Sequence, residues 1–255
     1  MSKQGRARTQ EMRKAQQEAA ARQARNRRIV TVVGAVVIVG LLAAIVWAVV
    51  AATRGGDDKA PPASGKVVVP ANGNASGAVP VGEPDAPVTV EIYYDYMCPA
   101  CGAFEAANGG ELDRLLEDGT ARIELRPISF LDEQSSGTEY STRAANAFAT
   151  VADGAPDSAW DFHAALYAHQ PKEGSKGLSD DEIASIAKDA GVPADVVDRF
   201  GDRTFVGWVG SVTQKAFDSG IQGTPTIKVD GEVFTGDVYS VGPLTQAIES
   251  AAGDQ

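Results

Sequence analysis

The chain contains two cysteines, and they lie three positions apart in the segment Cys98-Pro99-Ala100-Cys101. The segment just before them, Val88–Tyr94, alternates and is rich in β-branched and aromatic residues, which predicts a strand. Residues 102–107 are mostly good helix formers. A strand that turns into a helix here places Cys98 at or near the helix N-cap and Pro99 at the first helical position, where a missing N–H costs nothing. The fold must therefore carry a dithiol at a strand–helix turn.

This position predicts a reactive pair of thiols. Unpaired backbone N–H groups and the positive end of the helix dipole favour a thiolate over a thiol at Cys98. Cys101 lies one turn further along the same face, within reach of Cys98 for a reversible disulfide. We therefore expect an exposed, acidic Cys98 and a geometry suited to thiol–disulfide exchange.

The N-terminal region predicts a membrane anchor. Residues 29–52 carry no charge and are almost wholly apolar, and as a helix they would span roughly 36 Å, enough to cross a bilayer with some tilt. Residues 1–28 contain nine Lys or Arg and two Glu, so the positive-inside rule keeps this basic tail in the cytoplasm and exports everything after residue 52. A cleaved signal peptide is the alternative, but the apolar run is longer than a signal h-region. We expect a single-pass cell-membrane protein with its catalytic domain extracytoplasmic, where disulfides persist.

The remainder of the chain divides into a linker and one domain. Because the tail carries +7 and the chain −11, the rest carries −18, which argues against a nucleic-acid partner. Residues 53–80 are rich in Gly, Ala, Pro, Asn and Asp, a composition typical of a flexible linker. Residues 81–255 are long enough for one domain with a proper core.

Periodicity predicts the elements of this domain. After the dithiol helix, which we expect to break or kink at Asn108-Gly109-Gly110, a second strand covers residues 121–128. A helical insertion follows over about 136–207, and the candidate helices of this part of the chain cover residues 138–152, 157–169, 179–190, 194–200 and 204–219. Ser179 and Glu182 form a capping box at one helix start. Strands 226–229 and 232–235 flank Asp230-Gly231, typical of a type I′ hairpin, and residues 241–251 close the chain as a helix.

This order resembles the thioredoxin fold with a helical insertion, and specifically the DsbA family of exported thiol oxidoreductases. The resemblance rests on Tyr94-Asp95-Tyr96-Met97-Cys98-Pro99-Ala100-Cys101 and on Gly223-Thr224-Pro225-Thr226 before the hairpin. It implies an α/β fold with a central mixed sheet and an inserted helical subdomain. It also implies a cis-proline loop beside the dithiol, formed by Pro225, in which Thr224 offers backbone hydrogen bonds to an extended substrate. A proline there has no N–H with which to engage a thiolate.

Three neighbours of the cysteines are candidates for tuning or binding. The family's strongest oxidants carry a histidine at the position of Ala100, and since alanine cannot stabilise a thiolate as histidine does, the resemblance implies a milder redox poise. Asp95 has two interpretations: a buried acid or unfavourable charge near the cysteines, or a cap for the turn at the end of the strand. Met97 directly precedes Cys98 and is the expected substrate contact, whereas Tyr94 and Tyr96 are either part of the same surface or core residues.

A zinc site is the competing chemistry. Cys98 and Cys101 with His163 and His169 give C-x-x-C…H-x₅-H, but the gap before His163 is far longer than in a zinc finger. Two residues six apart on a helix also point about 120° away from each other. We therefore expect no metal, and no cofactor other than the redox-active disulfide.

These features together predict a membrane-tethered thiol–disulfide oxidoreductase that introduces disulfides into exported cysteine-containing proteins. The resemblance further implies a quinone-linked membrane partner that reoxidises the dithiol. Within the same enzyme class, a reductase, an isomerase or a thiol donor for cytochrome maturation remains an alternative. A non-catalytic thioredoxin-like module that binds a partner through the Pro225 loop is the alternative from another class.

Overall fold

The structure is a computed structural model that describes residues 67–253. Its five strands are β1 (Val79–Val81), β2 (Val88–Tyr94), β3 (Ala121–Pro127), β4 (Thr226–Val229) and β5 (Glu232–Val233). Its α-helices are α1 (Pro99–Glu117), α2 (Tyr140–Gly154), α3 (Ala159–Ala168), α4 (Asp180–Asp189), α5 (Ala194–Val197), α6 (Val206–Asp218) and α7 (Pro243–Gly253). Short 3₁₀ turns cover Asp132–Ser135, Pro156–Ser158 and Phe200–Asp202.

The sheet is mixed, with strand order β1-β3-β2-β4-β5. The central strand β2 pairs in parallel with β3 and antiparallel with β4. Val88, Val90 and Ile92 of β2 are buried, as expected for a strand covered on its apolar face. The helix-connected parallel pair β2–α1–β3 fixes where the dithiol lies: at the carboxyl end of the central strand. The predicted α/β architecture with a mixed sheet and a helical insertion is confirmed.

The hairpin β4–β5 has the predicted turn. Asp230 has φ 48° and Gly231 has φ 85°, and a type I′ turn needs positive φ at both positions. The second strand is shorter than expected and ends at Val233 rather than residue 235. Because β4 lies directly against β2, this hairpin brings the preceding Thr224–Pro225 loop to the dithiol end of the sheet.

Of the break or kink predicted at Asn108-Gly109-Gly110, the break is wrong, because α1 runs continuously from Pro99 to Glu117. Each helical glycine costs about 1 kcal/mol relative to alanine, so packing must offset that cost. Buried Asn108 helps, since its Nδ2 donates to the carbonyl of Phe104 at 3.0 Å and to that of Val238 at 2.8 Å. The second bond fastens the middle of α1 to the loop before α7.

The helices of the insertion lie close to their predicted positions, although the residues at which they begin and end differ. Ser179 and Glu182 form the predicted capping box at the start of α4, with both reciprocal contacts present. The segment predicted as a helix over 194–200 instead contains the short α5 and a 3₁₀ turn. The aromatic core of the insertion, which includes Phe148 and Phe162, is fully buried and continuous with the core of the sheet.

The boundary of the predicted linker at residue 80 is too late. Strand β1 pairs with β3 in the register Val79↔Leu125, and Ala78 and Val79 are fully buried. Just before them, the carbonyl of Ser76 accepts a hydrogen bond from Arg126 at 3.1 Å. A three-residue strand in a Gly-, Ala- and Pro-rich segment gives too little periodicity to be recognised in the sequence.

The N-terminal predictions concern residues before position 67, which the structure does not describe. The basic tail and the anchor over 29–52 lie outside the described residues. Between residues 67 and 253, no helix is both long and apolar enough to cross a membrane.

Candidate active site

Cys98 is the N-cap residue of α1, and Pro99 is the first residue of the helix, as predicted. The Cys98 carbonyl accepts the first hydrogen bonds of the helix, from the N–H of Cys101 at 3.0 Å and of Gly102 at 3.2 Å. The Cys98 N–H donates to the carbonyl of Asp95 at 3.0 Å, which closes the turn between β2 and α1. The cysteine therefore lies at the N-terminal end of α1, where the backbone N–H groups of Ala100 and Cys101 favour an ionised sulfur.

Hydrogen bonds lower the pKa of the Cys98 thiol to about 6. The largest contribution is a hydrogen bond from the thiol of Cys101, and the side chain of Thr224 and the backbone of Cys101 and Ala100 act in the same direction, against burial, which raises the pKa. These donors stabilise the ionised sulfur. Ala100 contributes only its backbone, as expected of an alanine at this position.

Cys101 has the opposite character. It is 1% exposed, and burial together with the neighbouring Cys98 sulfur raises its pKa well above that of an ordinary thiol. Both cysteines are free thiols in this structure. The two sulfurs thus differ strongly in acidity, and the thiolate resides on Cys98.

The Thr224–Pro225 peptide bond is cis, as the family resemblance implied. The Cys98 thiol donates to the carbonyl of Thr224, with the sulfur 3.4 Å from that oxygen. The structure therefore brings Thr224 and Pro225 from the far end of the sequence to the leading cysteine.

Two expectations about exposure need correction. Cys98 is only 7% exposed, so it is less open than we predicted, because the Thr224 loop lies directly beside it. Met97 is fully buried and cannot contact a substrate from this position. Its N–H donates to the Asp95 carboxylate at 2.8 Å, and its side chain belongs to the hydrophobic core. Tyr94 and Tyr96 are core residues as well.

Asp95 caps the dithiol turn and is completely buried. Its carboxylate accepts hydrogen bonds from the N–H of Met97, from the N–H of Leu131 at 2.9 Å and from the hydroxyl of Ser141 at 2.6 Å. Burial raises the pKa of this carboxyl to about 6, although these three donors oppose the rise. The capping interpretation is confirmed, and the site is also a buried acid.

The end of α3 contributes contacts that the sequence analysis missed. The hydroxyl of Tyr167 donates to the carbonyl of Asp95 at 3.2 Å. Nε2 of Gln170 donates to the carbonyls of Tyr96 and Cys98. These residues lie some seventy positions from the dithiol, and nothing local in the sequence indicates the contact.

The histidines do not join the cysteines in a metal site. His163 is buried, with Nδ1 3.2 Å from the hydroxyl of Tyr96 and Nε2 3.6 Å from a carboxylate oxygen of Glu105. His169 instead lies at the surface, with Nδ1 2.9 Å from the carbonyl of Ala165. Over residues 67–253, no group of three His, Cys, Asp or Glu side chains is placed to hold a metal ion.

This chain is similar to several known proteins. A family model described as thioredoxin matches residues 74–249. Disulfide bond formation protein D of Bacillus subtilis is 30% identical over 172 residues, which cover 67% of this chain and 75% of that protein. The structure of oxidised DsbA from Mycobacterium tuberculosis superposes with a TM-score of 0.56 at 27% identity, covering 69% of this chain and 98% of that one.

A further relative is much longer than the region it shares. Serine/threonine-protein kinase PknE of Mycobacterium tuberculosis is 31% identical over 115 residues, which cover 44% of this chain. The chain spans about a fifth of the length of that kinase, since the match covers 20% of it. The similarity to PknE is therefore confined to one segment.

Proposed function

Since this chain belongs to the thioredoxin family, among its DsbA-like thiol–disulfide oxidoreductases, we propose that it oxidises cysteine pairs of exported proteins through Cys98 and Cys101. The observation that carries the proposal is the contrast between the two sulfurs. Cys98 lies at the start of α1 with its pKa lowered to about 6, beside the cis-proline loop, whereas Cys101 is buried and its pKa is raised.

The exchange transfers a disulfide from the protein to its substrate in two steps. A substrate thiolate attacks Sγ of Cys98 in the oxidised protein, a mixed disulfide forms, and the Cys98–Cys101 bond breaks with Cys101 leaving and taking a proton. A second substrate thiolate then attacks the substrate sulfur of the mixed disulfide, and Cys98 leaves as a thiolate. Two electrons pass from the substrate cysteines to the protein. A leaving thiol with a low pKa makes the second step fast.

The low pKa of Cys98 also supports the direction of the reaction. Stabilising the thiolate stabilises the reduced protein, and a stable reduced form makes the disulfide a better oxidant. The stabilisation comes from backbone N–H groups and from the side chains of Cys101 and Thr224, with none from the side chain of Ala100. A milder oxidant than one with a histidine at this position fits these contacts.

The substrate would lie along the cis-proline loop. The carbonyl of Thr224 is within 3.4 Å of the Cys98 sulfur, so an extended chain that pairs with the Thr224 backbone would bring its own cysteine to Cys98. We also propose that residues 29–52 anchor the protein in the membrane with the domain outside the cytoplasm. A quinone-linked membrane protein would then reoxidise the dithiol.

The oxidase test uses the full-length chain in its oxidised form and a reduced, unfolded protein with several cysteines as the substrate. We expect wild-type protein to introduce disulfides, detected as loss of free thiols. Cys98→Ser and Cys101→Ser should both abolish this activity, because neither can form the internal disulfide. If both variants retain full activity, Cys98 and Cys101 do not carry out the oxidation and the proposal is refuted. A wild-type protein that neither oxidises nor reduces thiols would instead be a binding module.

The same variants separate the two sulfurs. With glutathione disulfide, Cys101→Ser should form a mixed disulfide quickly at Cys98, whereas Cys98→Ser should react slowly because Cys101 is buried. The reduction potential then distinguishes the remaining alternatives: a value near −120 mV indicates an oxidase and a value near −270 mV indicates a reductase.

A further inference from the structure

Gln170 lies just after α3, at the point where the helical insertion meets the dithiol turn. Its side-chain Nε2 donates to the carbonyl of Cys98 at 2.8 Å and to the carbonyl of Tyr96 at 3.2 Å. The position of Gln170 itself is set by the helix end, since its N–H donates to the carbonyl of Tyr167 at 3.0 Å. The exchange chemistry described above does not use this side chain.

The carbonyls that Gln170 holds belong to the turn that aims the reactive sulfur. The Cys98 carbonyl also receives the first two hydrogen bonds of α1, so a donor from outside the helix fixes the N-cap residue from a second direction. Tyr167, three residues earlier, holds the carbonyl of Asp95. Side chains from one end of α3 therefore bind the carbonyls of three of the four residues from Asp95 to Cys98.

Gly102 provides independent evidence that the side chain of Gln170 is closely fitted. A Cβ at Gly102 would lie 2.2 Å from Oε1 of Gln170 and 3.0 Å from its Cδ. Gly102 is inside α1, where glycine is less favourable than alanine. The missing side chain leaves the space that the Gln170 amide occupies.

We propose that Gln170 is a positioning residue of the redox site, which fixes the turn from which Cys98 projects by holding the carbonyls of Tyr96 and Cys98. It acts on the chemistry through the geometry of Cys98 and does not contact the reacting sulfur of a substrate. The N–H groups of Ala100 and Cys101 that stabilise the thiolate follow directly on this turn, so their alignment with the sulfur depends on it. The inference rests on the proposed function, because it concerns the reactivity of Cys98.

The test measures the rate of iodoacetamide alkylation of the reduced full-length chain against pH, which reports the thiolate of Cys98. Gln170→Ala removes the amide that holds the carbonyls of Tyr96 and Cys98. Gly102→Ala keeps Gln170 but displaces its amide from these carbonyls. Because one net hydrogen bond contributes about 1 kcal/mol, each variant should raise the midpoint by about half to one pH unit. The double variant should show no further rise, because a Cβ at Gly102 clashes only when the Gln170 side chain is present.

Two matched variants control for the nature of the substitutions. Gln214→Ala removes an exposed glutamine whose Nε2 donates to the carboxylate of Asp218 at 2.9 Å. Gly110→Ala adds a Cβ in the same helix as Gly102, at a place where no atom beyond the adjacent residues and the backbone of its own helix lies within 4 Å. Neither should move the alkylation midpoint. Urea unfolding of all five variants shows whether a shift merely follows lost stability.

The possible outcomes lead to different conclusions. Matching shifts in the two single variants, absent in both controls, support the role of Gln170. A wild-type midpoint near 6 that neither single variant moves, or shifts that add in the double variant, overturns it and leaves the proposed function intact. A wild-type midpoint near 9 contradicts the proposed function, and the positioning role of Gln170 is then rejected with it.

Discussion

The buried carboxyl of Asp95 should make the stability of the folded protein depend on pH. It is 0% exposed, and burial raises its pKa from 3.8 to about 6. The folded protein therefore binds this proton more tightly than the unfolded chain does. The resulting stability is fully present below about pH 4 and is lost as the pH rises through 6, and at ~1.4 kcal/mol per pH unit the loss by pH 7 is ~3 kcal/mol.

Asp95→Asn removes the charge but also one hydrogen bond. Its Oδ1 keeps the contacts that the aspartate makes with the N–H of Met97 and the hydroxyl of Ser141. Its Nδ2, however, faces the N–H of Leu131, where the carboxylate accepted a bond, and a buried unpaired donor costs about 1–3 kcal/mol. We expect the variant to be less stable than wild type at pH 4 and equally stable or more stable at pH 7.

Urea unfolding of reduced full-length wild type and Asp95→Asn between pH 4 and pH 8 measures the difference between their free energies of unfolding. The contributions of other titrating groups are the same in both proteins and cancel in this difference. The control is Asp237→Asn, because Ser240 and the N–H of Tyr239 lower the pKa of that exposed carboxyl. Because this carboxyl is ionised in both the folded and the unfolded chain over most of this range, the difference between wild type and Asp237→Asn should stay nearly constant between pH 4 and pH 8. A difference between wild type and Asp95→Asn that stays constant across this range would refute the reasoning, since it would mean that the buried carboxyl ionises like an exposed one.

The two cysteines give two further predictions. The alkylation rate of reduced wild-type protein should have its midpoint near pH 6. Cys101→Ala should raise that midpoint by about one pH unit, because the hydrogen bond from Cys101 makes the largest contribution to the stability of the thiolate. A midpoint that does not move contradicts this reasoning. The reduction potential, measured against glutathione, should fall by about 59 mV per pH unit below pH 6 and by about 30 mV above it, since only one proton accompanies the two electrons once Cys98 is ionised. A single slope of about 59 mV per pH unit from pH 5 to pH 8 would show that Cys98 stays protonated.

Local sequence was enough to predict the elements that form around one turn. The alternation of Val88–Tyr94, the proline after Cys98 and the capping box at Ser179 each depend on residues within a few positions, and the structure confirms all three. The Asp230-Gly231 hairpin belongs to the same class, because its positive φ angles follow from residue type. Such features are set by backbone sterics and by hydrogen bonds between near neighbours.

The predictions that were wrong concern residues whose position depends on tertiary packing. Met97 follows a strand and precedes a reactive cysteine, so the sequence favours exposure, yet the Asp95 cap turns it into the core. The glycines after Asn108 favour a helix break, but the bond from Asn108 to Val238 holds α1 through them. For α1, a partner distant in the sequence outweighs a local preference that amounts to about 1 kcal/mol per glycine. For Met97, the packing of the hydrophobic core decides where the side chain lies.

The difference in acidity between Cys98 and Cys101 combines these two kinds of information. The low pKa of Cys98 owes much to its place at the start of a helix, which a short stretch of sequence predicts. The high pKa of Cys101 comes from burial, beneath a turn that Tyr167 and Gln170 of the helical insertion hold in place. Only the pair of effects decides which sulfur receives the substrate thiolate, because attack is directed to the accessible sulfur and a buried one leaves. The insertion therefore contributes to the chemistry of a dithiol to which it supplies no cysteine.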